Sequence, residues 1–445
     1  MNSLFIFRRD LRLYDNTSLI QCCRNSNNVY CLFIMTPEQL KNNNFKSDSA
    51  VQFMYESLED LKMQLNNKLH FLYGNPHKSL KQFFNSIDFK FDNVYVTKDY
   101  SFYSQQRDEK LKQLCIKNNI NFISIEDHML NNYGTIKTTT NDIYSKFTPY
   151  YNKASSQKIK QPQSFNYLEK IKTISFKNFV DLDFIKQFFI YKSTNIIGGR
   201  NNGLKQLKQF NSKLYDSDRN NMIKHTSQLS SYIKFGCVSI REVYHKFKTN
   251  ELFIRQLFWH DFYTTLGHKD INFTQERLYQ PNGIKWLNNT FWNDWKNGTT
   301  GHPIVDAAMR QLNTENYCHN RGRLIASGFI KFMFMDWKIA EQYYAQNLRD
   351  YSPYANHYNW NWSMSFGPFS TPYFRIMNVW IQSKKYDKDC EYIKKWIPEL
   401  KDVPNEHIHK WYQYHNNYKN INYPKPIVDY KKQREICLEN YKKYI

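Results

Sequence analysis

Leu4-Phe5-Ile6-Phe7-Arg8-Arg9-Asp10-Leu11-Arg12 opens the chain with four consecutive apolar side chains that run into a cluster of charges. An apolar run this short and uninterrupted is the pattern of a strand buried on both faces. Four more such runs follow, at residues 29–34, 69–73, 94–96 and 122–125. Between the second and third, Met54, Leu58, Leu61 and Leu65 fall at i, i+4, i+7 and i+11, one face of a helix, and a second amphipathic segment covers residues 105–117. Strand and helix patterns in alternation predict an α/β doubly wound parallel sheet over residues 1–130. The loop after the first strand is Arg8-Arg9-Asp10 and not G-x-G-x-x-G, which excludes the phosphate cradle of an ordinary nicotinamide enzyme.

Outward from that core, residues 131–195 are rich in Thr, Ser, Lys and Gln, most of all at 153–163, and read as an interdomain connection wrapped over the surface. From 196 to 445 the periodicity is helical throughout, which predicts a second, all-α domain. The final helical pattern covers residues 430–444, so no long tail is expected beyond it. A chain of 445 residues suits two domains and buries enough surface to need neither disulfides nor a structural metal.

Composition narrows the partners. There are 62 Lys and Arg against 40 Asp and Glu, a net charge of +22, and such a field favours polyanions. AT-rich coding produces the same excess of Lys and Asn, so charge alone does not select nucleic acid. The 34 Tyr, 33 Phe and 10 Trp add material for a stacking pocket. A mean hydropathy of -0.74 excludes an integral membrane protein. The longest apolar stretch, residues 324–337, is interrupted by Lys331 and is shorter than the ~20 residues that span a bilayer. No basic n-region precedes the first apolar run, so no secretory signal is read. Eight Cys without a C-x-x-C pair read as reduced thiols of an intracellular protein. No metal site is expected: H-E-x-x-H and zinc-spaced Cys/His clusters are missing, and His407-Ile408-His409 alone is weak.

Four segments have the residue types of a site. Thr226-Ser227-Gln228-Leu229-Ser230 places three hydroxyls in a turn before a helix, suited to a phosphate or to an ordinary N-cap. Trp259-His260-Asp261-Phe262-Tyr263 crowds aromatic and polar groups onto one helix, the pattern of a core stripe with an exposed edge or of a stacking wall. His319-Asn320-Arg321-Gly322-Arg323 offers hydrogen-bonding and cationic groups for a flavin edge or a DNA phosphate, or for a solvated helix start. Residues 350–365 hold Asn356, Asn359 and Asn361 around Trp360 and Trp362, and buried amides demand partners, either one another or a ring rich in heteroatoms.

Taken together, these segments resemble the photolyase and cryptochrome family of flavoproteins. The resemblance runs from Phe7-Arg8-Arg9-Asp10-Leu11-Arg12 and Asp15-Asn16 through Tyr232-Ile233-Lys234-Phe235-Gly236. It is strongest at Thr300-Gly301-His302-Pro303-Ile304-Val305-Asp306-Ala307-Ala308-Met309-Arg310-Gln311-Leu312 and Pro372-Tyr373-Phe374-Arg375-Ile376. It implies an N-terminal antenna domain and a helical domain that holds FAD, active in its reduced form. A second antenna chromophore, a folate or a deazaflavin, is implied as well. Tyr215 and Thr226, Ser227, Gln228, Leu229 and Ser230 would grip the FAD phosphates. Asp350, paired with Arg323, would face the isoalloxazine, Ser352 would stand in the same acidic motif, and Asn356 would sit by the flavin N5. Trp360, Trp337 and Trp286 match the family's electron-hopping tryptophans, from flavin to surface, with core packing as the ordinary role of each.

Within the family the chain is more similar to class I cyclobutane pyrimidine dimer photolyases than to (6-4) photolyases. Asn320 follows His319, where the (6-4) branch has a second His as proton donor. Opening a cyclobutane needs an electron lent and returned but no general acid. Trp259 and Trp362 would wall a flipped dimer, and Arg321, Arg375 and Gln382 would contact damaged DNA. A monomer that binds UV-damaged DNA is the expected state. The chain departs from the pattern at Gln256, where dimer photolyases have a Glu that hydrogen-bonds the thymine carbonyl. It departs again at His260 for the usual Arg, Leu324 for the pocket Met, and Ser352 for the second acid of the flavin motif. Repair with reduced yield is the expectation. A cryptochrome-like blue-light photoreceptor without repair is the alternative, and (6-4) repair a weaker one.

Overall fold

The five apolar runs form one sheet because each supplies side chains to both of its faces. The computed structural model describes residues 1–41, 43–269, 279–287, 290–367 and 372–444. Strands β1 (Asn2–Phe7), β2 (Asn28–Met35), β3 (Leu69–Tyr73), β4 (Asn93–Thr97) and β5 (Asn121–Ile125) pair in parallel in the order β3-β2-β1-β4-β5. A two-residue strand, β6 (Ile171–Lys172), pairs in parallel with β2. Leu4 and Ile6 of β1 pack on one face with Leu32, Val94, Phe83 and Leu114. The crossover helices Thr17–Arg24, Asp48–Gln64, Pro76–Asn85 and Phe102–Lys117 begin where Asn16, Ser47, Asn75 and Ser101 accept a backbone N–H in the first turn. Each such cap contributes about 1 kcal/mol.

The charges after β1 are spent inside the fold. Arg8 donates from both terminal nitrogens to Asp108, at 2.8 and 2.7 Å, and Asp10 accepts from the Arg8 N–H and the Thr97 hydroxyl. Arg12 pairs with Asp127, which also accepts from Arg241 at 2.7 Å, while Arg241 reaches Asp15 at 2.9 Å. Removing one partner would leave a buried charge uncompensated, so this loop is held as a unit.

The described chain packs as two units, Met1–Ser212 with Ser227–Phe273 and Lys213–Thr226 with Thr274–Ile445. The polar stretch 131–195 contains more order than a connection would. Phe147, Tyr150, Tyr151 and Ala154 are buried along the Phe147–Ser155 helix, at helical spacing within the polar sequence. The helices Ile240–Phe247 and Glu251–Lys269 pack in the same unit as the sheet. One tie is the buried Asp261 carboxylate, which accepts the backbone N–H groups of Leu130 and Asn131 at 2.9 and 3.0 Å.

The second unit is helical, and its core gathers Trp295, Ile304, Met309, Phe329, Trp337, Tyr344 and Trp360. The Pro303–Glu315 helix is fixed at its start by Asp306, whose carboxylate accepts from Thr300 N–H, Thr300 Oγ1, Gly301 N–H and the Tyr423 hydroxyl. Gly301 has φ +71, and a Cβ there would lie 2.2 Å from the Lys425 carbonyl, so only glycine fits. Lys331 is buried in the Asn320–Phe332 helix and not exposed as an interruption. All eight cysteines are buried and none is bonded to another. No helix among the described residues is long and apolar enough to cross a membrane.

Candidate functional site

In the helical unit the site is built around the start of the Asn320–Phe332 helix. His319 caps it, its Nδ1 accepting the Arg321 N–H at 3.1 Å. That acceptor role puts the ring proton on Nε2, which is buried and has no partner among the described residues. Burial, with the charges of Arg321 and Arg323, pushes the ring down to about 4, so it is neutral near pH 7. One turn on, Arg323 Nη2 donates to both oxygens of Asp350, at 3.0 and 2.9 Å, and Nε to the Cys318 carbonyl at 2.9 Å. Burial would lower the pKa of Arg323, but the Asp350 carboxylate beside it outweighs that and keeps the guanidinium charged. The Tyr317 ring lies 5.7 Å from the guanidinium, and its phenol is pushed up to about 12 by burial. Tyr215 begins a short helix, half-buried, within reach of the Arg321 charge.

The Pro353–Ser363 helix carries the amides and two of the tryptophans. Asn356 donates to the Ser352 carbonyl at 3.1 Å, Asn359 to Ala355 and Asn361 to His357, each a carbonyl four residues back. These three donors thus serve their own helix, and Asn359 is exposed. Asn361 Oδ1 is buried without a partner among the described residues. Trp360 is buried on the face it shares with Asn356, while Trp362, about 200° further round, is half-buried. Ser352 caps this helix by position but makes no side-chain cap bond.

Trp337 is fully buried, its Nε1 donating to Gln280 at 3.0 Å, with the Lys338 ammonium 4.9 Å from its ring. Trp286 is half-buried, 4.9 Å from Phe334. Of the residues expected on DNA, Asn320 and Arg375 are exposed and Gln382 and Leu324 half-buried. Arg321 is already engaged, donating to Asn220 at 2.9 and 2.6 Å and lying 4.8 Å from the Tyr386 ring.

In the sheet unit, Trp259 is half-buried and its ring stacks on Phe147 at 3.6 Å and 6°. One face of the Trp259 ring is thus taken. Gln256 is exposed, its amide turned back to the Leu252 carbonyl at 3.2 Å, and His260 Nδ1 lies 3.4 Å from Asp261. The chain passes from one unit to the other at Thr226 and Ser227, so the hydroxyl turn is divided. Gln228 there has φ +50, Leu229 is buried, and Ser230 opens the five-residue Ser230–Lys234 helix.

Residues 3–166 match the family profile described as DNA photolyase, and residues 253–443 match that of the FAD binding domain of DNA photolyase. A deoxyribodipyrimidine photo-lyase of Buchnera aphidicola is 34% identical, over 99% of this chain and 96% of its own. The chain belongs to the DNA photolyase family. Within that family, the Escherichia coli deoxyribodipyrimidine photo-lyase is 28% identical over 98% of this chain and 97% of its own. An archaeal photolyase from Sulfolobus tokodaii, solved with two FAD molecules, is 35% identical, with a TM-score of 0.89 and full coverage of both chains. A Synechocystis cryptochrome has the same fold at 23% identity, TM-score 0.90, covering 99% of each chain.

The cofactor of the family is FAD, and the residues present fit it. A paired Arg323–Asp350, the buried donor at His319 Nε2 and the buried acceptor at Asn361 Oδ1 suit a ligand with many ring heteroatoms. Tyr317 and the tautomer of His319 were not legible in sequence, although both stand beside the His319 motif. Among the described residues no group of three or more His, Cys, Asp or Glu is placed to hold a metal.

Proposed function

We propose that the protein repairs cyclobutane pyrimidine dimers in DNA by light-driven electron transfer, as a deoxyribodipyrimidine photolyase. The observation that carries the reading is the pair His319 and Asn320: the histidine of the motif is neutral near pH 7 and the next position is an exposed amide. Such a pair offers hydrogen bonds but no proton, which suits a cyclobutane and not the acid-requiring (6-4) lesion. Reduced FAD, when bound, supplies on excitation the electron that opens the ring and takes it back, so the reaction is redox neutral.

The chain's own residues hold and orient. Tyr215 and Thr226 to Ser230 would bind the FAD phosphates, Arg323 with Asp350 and Asn356 the polar edge of the isoalloxazine, and Trp360, Trp337 and Trp286 would deliver electrons. Trp259 and Trp362 would flank the flipped dimer. Gln256 would donate one hydrogen bond to it, with His260, Asn320, Arg321, Arg375 and Gln382 on the DNA. Flipping costs least where stacking is already damaged, and photolyases are among the standing examples of that selectivity. The reading includes a monomer acting inside the cell, with a second chromophore on the sheet unit. The two FAD molecules in the Sulfolobus relative add a flavin to the folate and deazaflavin candidates.

The test is an oligonucleotide with one thymine dimer, incubated with photoreduced protein in blue light and in the dark and resolved by chromatography. Restoration of intact thymines in light alone is the expected result. The absence of repair with FAD bound and reducible would transfer the assignment to a photoreceptor, which the departures at Gln256, His260 and Leu324 favour.

A further inference from the structure

Trp360 touches an aromatic ring that does not belong to the row of three tryptophans. Its centroid lies 5.4 Å from Tyr344 at 84°, and Tyr344 stacks on Trp295 at 5.9 Å and 28°. Trp295 meets Trp292 edge-on at 6.0 Å. Trp360, Tyr344 and Trp295 are buried and Trp292 is half-buried, so the four rings run from the helix of Asn356 outward to solvent. We propose that Trp360, Tyr344, Trp295 and Trp292 form a second route by which an electron hole leaves Trp360, beside Trp337 and Trp286. The proposal rests on the reading that Trp360 faces the isoalloxazine.

Charge placement makes the route competitive. The Lys338 ammonium lies 4.9 Å from the Trp337 ring, where it opposes a positive hole, and Glu341, 3.4 Å from that ammonium, offsets it in part. In the second route Lys296 lies over Tyr343, outside the four rings, and Arg323, whose charge reaches Tyr344, is offset by its pair with Asp350. The Trp295 Nε1 donates to the Ala326 carbonyl at 3.3 Å, a dipole that favours positive charge on the indole. Tyr344 has a narrower role. An oxidised phenol sheds its proton, but this hydroxyl meets Met309 Sδ at 3.7 Å and the thiol of Cys318, itself pushed up to about 12. Neither is a base, so the hole does not rest on Tyr344, and its ring serves as a bridge between two indoles.

The electrons balance as follows. Trp360 gives one electron to the excited, oxidised isoalloxazine; Trp295 refills Trp360 across Tyr344, and Trp292 refills Trp295. Trp292 then loses its indole N–H proton to water. An exogenous thiol returns one hydrogen atom to it, and two thiyl radicals combine to a disulfide. Per turnover one electron reaches the flavin, one proton reaches solvent and one thiol is oxidised.

The test uses the full chain with FAD bound, without DNA, so that it is independent of repair. Two readouts are taken under blue light: flavin photoreduction with thiol, and, without thiol in aerated buffer, mass-spectrometric mapping of oxidised tryptophan. Trp337→Phe should keep photoreduction within about an order of magnitude of the parent and keep oxidation at Trp292. Trp337→Phe with Trp292→Phe should lose both, Tyr344→Phe should behave as the parent, and Tyr344→Leu in the Trp337→Phe background should lose photoreduction. Trp292 is only half-buried, so its replacement spares the core that Trp295→Phe would disturb. The proposal is overturned if Trp337→Phe alone abolishes photoreduction, or if Trp292 stays unoxidised in both the parent and Trp337→Phe. Trp360→Phe separates the two levels: if it changes nothing, the placement of Trp360 by the flavin is wrong, and with it the reading beneath the proposal.

Discussion

Arg323 holds both carboxylate oxygens of Asp350 with a single guanidinium nitrogen, at 3.0 and 2.9 Å, and spends its Nε on the Cys318 carbonyl. A contact between residues 27 apart is thereby fixed in orientation at the point where the Asn320–Phe332 helix meets the loop before Asn356. Asp350→Asn removes the charge and keeps the shape. About a quarter of the Arg323 side chain still reaches solvent, at 26% exposure, so the cost is smaller than for a fully buried pair, on the order of 1–2 kcal/mol. The expected result is a Tm lower by several degrees and FAD lost on gel filtration, read from the absorbance ratio of flavin to protein. Full FAD retention in the variant would remove this pair from the flavin site.

Asn320→Ala separates binding from repair. Asn320 is exposed at the first position of its helix, so stability should change by no more than about 0.5 kcal/mol. Flavin content should match the parent while light-dependent restoration of a dimer oligonucleotide is lost. Unchanged repair would refute the pocket placement of Asn320.

Binding to dimer-bearing duplex should fall steeply with salt. With about six phosphates neutralised, affinity drops roughly a thousandfold between 50 and 200 mM salt. Fluorescence anisotropy across that range measures the slope, and a flat response would exclude DNA backbone as the source of affinity. Arg375→Ala should lower the slope by about one phosphate without altering flavin content.

Lys331 gives a stability signature at alkaline pH. Its ammonium is buried, donates to Ser365 Oγ at 2.5 Å and the Arg375 carbonyl at 3.1 Å, and is pushed down to about 8 by burial. Below about 8 the fold bears the full cost of a buried charge. As pH rises from there toward the unfolded value of about 10.4, that cost disappears, a span worth about 3 kcal/mol. Relative to Lys331→Met, the parent should therefore gain Tm between pH 7 and pH 10. A constant difference would mean that the ammonium is not desolvated. The same substitution frees the segment that carries Arg375, so DNA affinity should weaken at neutral pH.

Local signals were sufficient for the elements. The runs at 4–7, 29–34, 69–73, 94–96 and 122–125 lie within the five strands, and the Tyr430–Tyr444 helix spans the predicted residues. Apolar spacing encodes burial directly, and the first four runs are largely buried as their spacing indicates. The fifth strand, β5, at the edge of the sheet, leaves Phe122, Ile123 and Ile125 only half-buried and Ser124 exposed, because an edge strand has a neighbour on one side only. The Phe147–Ser155 helix was less legible because its buried side chains, Phe147, Tyr150, Tyr151 and Ala154, stand among polar neighbours whose composition reads as loop. The stack of Phe147 on Trp259 joins residues 112 apart, and no local pattern carries that information.

By itself the sequence determined the parallel sheet followed by helices, the family, and which residue types are available for a flavin and a damaged base. These follow from periodicity and from ordered motifs, which are properties of neighbours along the chain. Tertiary structure alone decided the rest. It gave the geometry of the expected Asp350–Arg323 pair and showed that the proton of His319 sits on Nε2. It also showed that Asn356, Asn359 and Asn361 each turn back to their own helix, and that Tyr344 and Trp295 lie in line with Trp360. Such properties depend on distances of a few ångströms between segments far apart in sequence, set when the helices pack and the last polar groups find, or fail to find, a partner.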